Sequence, residues 1–319
     1  MMNAFRFKPL LKSVLWGGNK ILRYRGLEGA EDATIGESWE ISGVPGSETV
    51  VSEGEDAGLT VTELIEKYGP ALVGNHVYEK YGNTFPLLVK IIDARADLSV
   101  QVHPDDALAE KRHHSLGKTE MWYIIDADPG AKIYSGFSKK IDRSEYYNLI
   151  SQGKIMDVIA AHDSNPGDLF YIPAGRIHSI GAGNMLIEIQ ETSDITYRVY
   201  DFNRKDKDGN SRELHTELAA DAIDYNVYPE YKKNYDKSAH GTVPLIKCPY
   251  FDVRRIVLSS GEDRCLLPTA DDSFTIVFCV NGEMEVNGES IKSGEALLFP
   301  ADMKTLTASG AGTLLTVTA

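Results

Sequence analysis

The sequence predicts a mainly β protein, two similar β-barrels in series, the first carrying helical insertions and the second a degenerate copy. Two observations predict it. Segments rich in β-branched and aromatic residues recur at 48–52, 85–92, 98–103, 121–125 and 184–190, punctuated by Gly, Pro, Asn and Asp, a pattern that favours a β-sandwich or barrel. A repeat is also visible. Gly167-Asp-Leu-Phe-Tyr-Ile-Pro173-Ala174 aligns with Gly294-Glu-Ala-Leu-Leu-Phe-Pro300-Ala301, with the same Gly-to-Pro spacing, and 274–282 parallels 120–130.

Helical stretches interrupt the first unit. Residues 60–68 read as a helix with Thr62 as its cap. Across 142–161, Tyr146, Leu149, Ile150, Ile155, Val158 and Ile159 recur at roughly helical spacing, predicting a helix there. A shorter one is expected over 105–114, capped by Asp105 or Asp106. The polar run 203–213 is a surface loop by composition, and 225–243, rich in Tyr, Lys and Asn, reads as a linker. The expected domains are therefore 1–235 and 236–319, and beyond the linker 249–319 returns to short strands and turns.

Composition bounds the function. A chain of 319 residues, 42% apolar and 25% charged, has room for two cores. No apolar run approaches the roughly 20 residues of a membrane span. The N-terminus has basic residues but no apolar core followed by a small-residue cleavage site, so the expected location is cytoplasmic. Cys248, Cys265 and Cys279 are an odd number without close pairing, which suits buried thiols in a reducing compartment. A net charge of −14 repels nucleic-acid backbones and anionic membranes, so neither is an expected partner. A small anionic substrate stays open, since Lys90, Lys118, Arg176 and Arg198 lie in or beside the motif segments.

Four residues carry metal chemistry. Gln101 and His103 are two apart and share a face in an extended strand. Glu120 opens the apolar run Met-Trp-Tyr-Ile-Ile, and His178 follows a Pro-Ala-Gly turn. Two imidazoles, a carboxylate and an amide oxygen suit zinc first, with iron or manganese also open. Gln101 is the weakest ligand of the set, and a supporting hydrogen bond is its alternative role. In the repeat, the residue matching His178 is Thr305 and the matching strand brings no histidine or carboxylate, so the second barrel is expected to be metal-free. His113 and His114 are adjacent and diverge, as solvated loop residues do. His76, His162, His215 and His240 have no ligand-like company. Trp16, Trp39 and Trp122 read as core or as a sugar platform. Lys90 is a charge in an apolar strand, facing either a pocket or an exposed edge.

Taken in order, Trp16-Gly-Gly, Gly36-Glu-Ser-Trp-Glu-Ile-Ser42, Leu98-Ser-Val-Gln-Val-His-Pro-Asp-Asp106, Gly117-Lys-Thr-Glu-Met-Trp122, Pro173-Ala-Gly-Arg-Ile-His178 and Ser193-Asp-Ile-Thr-Tyr-Arg-Val-Tyr-Asp201 resemble the cupin barrel. More narrowly, they resemble the type I mannose-6-phosphate isomerases in their short bacterial form. The resemblance covers nearly the whole chain. It implies two cupin barrels and a zinc site of Gln101, His103, Glu120 and His178. It also implies an active-site arginine at Arg198, a lysine at Lys118 and an aspartate at Asp194. Larger members carry a helical domain that this chain is too short to hold, so that domain's substrate contacts do not transfer.

The implied activity is a zinc-dependent aldose–ketose isomerisation of mannose 6-phosphate and fructose 6-phosphate. It moves a proton between two carbons through an enediol-like intermediate. Arg198 is then a clamp on the intermediate or on phosphate, with an ion pair to Asp194 or Asp201 as the structural alternative. Lys118, two residues before Glu120, faces the metal side if it lies on the strand, where positive charge would lower its pKa and make it an acid or base. A solvated lysine is its alternative. Lys90 and Asp194 are the expected substrate contacts. A metal-dependent cupin oxygenase and a non-catalytic sugar-binding module are the competing readings.

Overall fold

The computed structural model describes residues 2–27, 34–205, 208–260 and 264–319. Every strand pairing among them is antiparallel, in three sheets. The first has seven strands in the order Lys232–Lys233, Leu169–Ile172, Glu120–Ala127, Asn184–Glu191, Leu87–Asp93, Ile35–Ser42 and Leu10–Gly18. The second has five: Tyr197–Tyr200, Val100–Val102, His178–Ile180, Lys132–Phe137 and Ile159–Asp163. Between them lies a core of Ile92, Trp122, Ile124, Phe170, Ile172 and Leu186 from the first sheet and Ile133 and Ile180 from the second.

The strands Leu87–Asp93 and Asn184–Glu191 are buried along their whole length. Residues facing away from the inner core, among them Leu87, Val89, Ile91, Ile187 and Ile189, pack with the C-terminal sheet through Phe251, Phe278 and Leu315. Apolar side chains on both faces explain why these segments read as continuous apolar runs rather than as alternation. The outer face of the five-stranded sheet is closed by the helices Arg143–Ser151 and Thr216–Ala222, through Tyr146, Leu149, Ala219 and Ala220 against Val100, Val102 and Val199.

The third sheet is built mainly from Gly241–Lys247, Asp252–Leu258, Thr275–Val286, Ala296–Phe299 and Leu306–Thr318, and encloses its own core of Ile256, Val277, Cys279, Leu297 and Leu314. The N-terminal strand Phe5–Lys8 pairs with Ala296–Phe299, and Val50–Val51 extends the same sheet. The start of the chain is thereby stitched to its end.

The internal repeat is a physical one. Gly167 donates to the Ile124 carbonyl at 2.8 Å, and Gly294 donates to that of Cys279 at 2.9 Å; Ile124 and Cys279 in turn donate to the carbonyls of Asp168 and Glu295, both at 2.9 Å. Both glycines have positive φ, 76° and 81°, the left-handed turn that glycine adopts without penalty. Glu120 stands opposite Ile172, and Thr275 stands opposite Phe299, one residue before the proline in each copy. Thr275 therefore occupies the place of Glu120.

Several local expectations change. The helix Val61–Tyr68 is capped by Thr60 rather than Thr62: Thr60 Oγ1 accepts from the Glu63 amide at 3.1 Å while the Glu63 carboxylate accepts from the Thr60 amide at 2.7 Å, a reciprocal box that fixes the first turn. The helix expected over 142–161 ends at Ser151. Gly153, at φ 65°, breaks it, and a 3₁₀ turn Ile155–Val158 and the strand Ile159–Asp163 follow. Asp105 caps the helix Asp106–His113 as one of the two expected residues. Within 225–243, Lys232–Lys233 pairs with the strand Leu169–Ile172, and the Tyr231 hydroxyl donates to the Phe137 carbonyl at 2.9 Å, so part of this segment is pinned to the first unit.

Candidate metal centre

Sheet register sets the site. Arg198 lies opposite Gln101, Gln101 opposite His178, and His178 opposite Ser135, one row across four strands of the five-stranded sheet. Directly opposed residues share a face, with Cβ atoms about 5 Å apart. From the facing sheet, Glu120 enters at the first residue of its strand. His103 follows the strand Val100–Val102, two residues beyond Gln101.

His103, Glu120 and His178 converge, with one ligand atom of each within 4.8 Å of the others. All three are buried. His103 Nε2 is 3.6 Å from one Glu120 oxygen, and His178 Nε2 is 3.3 Å from the other. Both rings are oriented through their far nitrogen: His103 Nδ1 lies 2.8 Å from the Ile195 carbonyl, and His178 Nδ1 2.8 Å from that of Arg176. A carbonyl accepts only, so each Nδ1 carries the proton and each Nε2 turns a lone pair into the site. Burial holds both imidazoles below their usual range, His178 at about 3, and keeps them neutral.

Glu120 Oε1 is buried without a hydrogen-bond donor. Burial pushes the Glu120 carboxyl up, against the opposing pull of Lys118. Two imidazole lone pairs and an unsatisfied carboxylate oxygen around one point fit a divalent cation, and mixed nitrogen and oxygen donors suit zinc. Gln101 is adjacent: its Nε2 sits 3.3 Å from His178 Nε2, donating to the bare ring nitrogen. Rotating the amide would present its oxygen instead, so both roles expected of Gln101 are within its reach.

Lys118 lies just ahead of the strand Glu120–Ala127, in irregular backbone, so strand alternation is not what places it. It is nevertheless buried, and its ammonium contacts Glu120 Oε2 and lies 3.2 Å from His103 Nε2 and 3.9 Å from Glu188. The solvated-lysine alternative does not occur.

Beside the cluster of His103, Glu120 and His178 is a cavity of about 160 Å³, bounded by Lys90, Gln101, Lys118, Glu188, Asp194 and Arg198 among others. Lys90 faces this pocket rather than an edge, 2.8 Å from Glu188 and 3.9 Å from Glu37, over the Trp39 ring. Burial works to lower the Lys90 pKa, but Glu188 and Glu37 carry it above its ordinary value. Arg198 makes no ion pair with Asp194 or Asp201. It donates to the Glu213 carbonyl at 3.0 Å and its buried Nε has no acceptor, while Asp201 is engaged by Arg204 and Arg212. Burial, then the nearby Arg212 charge, lowers the Arg198 pKa. Asp194 is exposed at the cavity mouth.

Glu188 is a site residue that the sequence reading missed. It stands between Trp122 and Lys90 in the seven-stranded sheet, accepts from Trp122 Nε1 at 2.8 Å and pairs with Lys90. Burial opposes its charge, yet Lys118 and Lys90 hold it low, at about 2. A signal existed: Leu-Leu-Val-Lys-Ile-Ile and Met-Leu-Ile-Glu-Ile-Gln each bury one lone charge in an apolar strand, and opposite lone charges in neighbouring strands match each other. His215, without ligand-like company in sequence, accepts from the Arg198 amide at 3.0 Å and steadies that strand. Trp122 is core and meets His178 edge-on at 5.2 Å, whereas Trp16 and Trp39 reach the cavity wall. His113 is exposed, with Nε2 2.8 Å from the Tyr197 hydroxyl.

Residues 4–128 match the phosphomannose isomerase type I catalytic domain, and 242–319 match the mannose-6-phosphate isomerase cupin domain. The chain is 35% identical over 302 residues to the mannose-6-phosphate isomerase ManA of Bacillus subtilis, covering 92% of both chains. It is 36% identical over 298 residues to the mannose-6-phosphate isomerase of Streptococcus mutans, covering 91% of this chain and 90% of that one. A crystal structure of the Bacillus subtilis mannose 6-phosphate isomerase superposes with a TM-score of 0.85 at 30% identity, over 99% of each chain.

Proposed function

The chain belongs to the type I phosphomannose isomerase family of enzymes, and from that premise we propose that it interconverts mannose 6-phosphate and fructose 6-phosphate with one zinc ion per chain, through an enediol intermediate. The observation that carries this reading is the convergence of two neutral imidazoles and an unsatisfied carboxylate beside a cavity lined by Lys118 and Arg198.

Gln101, His103, Glu120 and His178 would hold the cation. When bound, it supplies positive charge where a substrate oxygen becomes anionic. Isomerisation moves a proton between C-1 and C-2 and shifts the carbonyl from one carbon to the other. Lys118, buried at the cavity floor, would take the C-2 proton as a neutral amine and return a proton to C-1 as the ammonium so formed. Arg198, with its buried Nε–H unpartnered, would donate to negative charge developing on the substrate. Lys90, held by Glu188, and Asp194, at the mouth, contact the sugar phosphate.

On this reading 1–235 is the catalytic unit and 236–319 its support, joined by the strand Phe5–Lys8. The C-terminal unit places Thr275 where the first has Glu120 and binds no metal. The cytoplasm is the assigned location, in keeping with three free cysteines; among the described residues no helix is long and apolar enough to cross a membrane.

Turnover of mannose 6-phosphate in deuterated water tests the mechanism. Solvent deuterium in the fructose 6-phosphate formed, at C-1, is the expected result. Product free of deuterium at every extent of reaction would contradict proton transfer by Lys118, whose amine carries exchanged deuterium and mixes it with the proton it takes.

A further inference from the structure

Lys118 is placed in the site by backbone that belongs to no helix or strand: 116–119 is irregular, and the ladder of the seven-stranded sheet begins only at Glu120. A buried irregular segment must find partners for its amides elsewhere. Three consecutive ones do. Gly117 N donates to Asp106 Oδ1 at 2.8 Å, Lys118 N to the Pro104 carbonyl at 3.2 Å, and Thr119 N to Glu191 Oε2 at 2.7 Å. Asp106 opens the helix after His103, and Glu191 closes the strand that carries Glu188. The two carboxylates thus take the amides on either side of Lys118 from two different elements.

The seating is tight. A Cβ on Gly117 would lie 2.7 Å from the Asp106 amide nitrogen and 2.8 Å from the Asp105 carbonyl carbon, closer than van der Waals contact allows, so glycine is what lets the segment approach the helix. Glu191 N also donates to the Thr119 carbonyl at 3.1 Å, which makes the Glu191–Thr119 contact reciprocal. Burial, with Asp106 alongside, pushes the Glu191 carboxyl up to about 8. A neutral carboxyl or amide in that place can still accept from Thr119. Tyr250, from the C-terminal region, lies beside both carboxyls.

We propose that Asp106 and Glu191 are positioning residues that act through Lys118, fixing the backbone on both sides of it so that its ammonium reaches the metal-ligating cluster. This rests on the reading of Lys118 as the proton-transferring lysine. Neither carboxylate lines the cavity among the described residues, so their loss falls on the chemical step and not on substrate capture.

The experiment measures kcat, KM and bound zinc for the full-length, zinc-loaded enzyme with mannose 6-phosphate, in wild type and in Asp106→Ala, Glu191→Ala, Glu191→Gln, Gly117→Ala and Lys118→Met. The alanine variants of Asp106 and Glu191 are expected to lose kcat by about 10- to 100-fold, as a small misplacement of a reacting group does. KM should change less than kcat, and zinc should stay at one per chain. Glu191→Gln, whose amide oxygen still accepts from Thr119, should recover most of the lost kcat. Unchanged kcat in the alanine variants would overturn the proposal, as would a loss confined to KM or explained by missing zinc, or a glutamine variant no better than alanine. Should the alanine variants fail to fold, Gly117→Ala decides: it must lower kcat in the same way, and full kcat overturns the proposal. Lys118→Met separates the two readings, since normal kcat in that variant defeats the role of Lys118 itself, while its loss alongside an unaffected Glu191→Ala defeats only the positioning pair.

Discussion

His178 turns the unprotonated edge of its ring toward Glu120: Nδ1 meets the Arg176 carbonyl at 2.8 Å, which leaves Nε2 as an acceptor 3.3 Å from a carboxylate oxygen that has no donor. Two acceptors facing each other in a dry site repel unless a cation lies between them. Replacing Glu120 with Gln removes the ligand charge while keeping the shape. Zinc affinity should fall by at least about 100-fold, and turnover with it. Metal content and rate measured on the same preparation check this, and a zinc-loaded, active Glu120→Gln enzyme would be the contrary result.

Glu188 is the counter-charge of the pocket, 2.8 Å from Lys90 and 3.9 Å from Lys118, with all three buried. Removing one member of a buried ion cluster strands the others and costs about 3–5 kcal/mol. Glu188→Ala should lower the urea midpoint accordingly. Glu188→Gln, which can still accept from Trp122, should cost less. Equal stability of Glu188→Ala and wild type would show that the lysines are compensated elsewhere.

Arg198 is held at its backbone by His215 and through one guanidinium nitrogen by the Glu213 carbonyl, with no carboxylate partner. Its loss should therefore spare the fold. Arg198→Ala is expected to lower kcat by about 10²–10³, the usual effect of deleting one preorganised donor, with thermal midpoint and zinc content close to wild type. Lysine should rescue poorly, because a point charge does not reproduce the planar fork.

Asp201 gathers Arg204 and Arg212 around the wall that carries Arg198, with Arg212 donating at 2.5 and 2.8 Å. Burial alone would raise its pKa, but the hydrogen bonds from Arg212 and Arg204 hold it below the usual value of 3.8. A carboxylate depressed on folding adds stability above its unfolded pKa and loses it as pH falls through the folded value. Asp201→Asn should cost about 2 kcal/mol near neutral pH. The gap in thermal midpoint between variant and wild type should narrow as pH drops below about 4. A gap that is constant or widening in acid would contradict the assignment.

The residues of the candidate metal site were legible because Gln101 and His103 are two residues apart, while Glu120 and His178 sit at the start of an apolar run and after a Pro-Ala-Gly turn. Those are local signals. The repeat was legible for the same reason, since Gly167 and Gly294 both need the left-handed turn and both close the same hairpin. Helix limits were less so: helical spacing runs past Ser151 because Ile155, Val158 and Ile159 are buried through a 3₁₀ turn and a strand that keep similar intervals. Glu188 was missed because its partner Lys90 comes from a neighbouring strand, and only register brings the two together. The Phe5–Lys8 strand joins a sheet made almost wholly of residues beyond 240, a pairing across nearly the full chain that no local pattern announces.

The central claim, a metal-dependent sugar-phosphate isomerase, is tested most directly by assaying conversion of mannose 6-phosphate to fructose 6-phosphate before chelation, after it, and after zinc is restored. The account predicts turnover that chelation abolishes and zinc brings back. Undiminished turnover in protein shown to be free of metal, or none in folded protein shown to hold zinc, would contradict it.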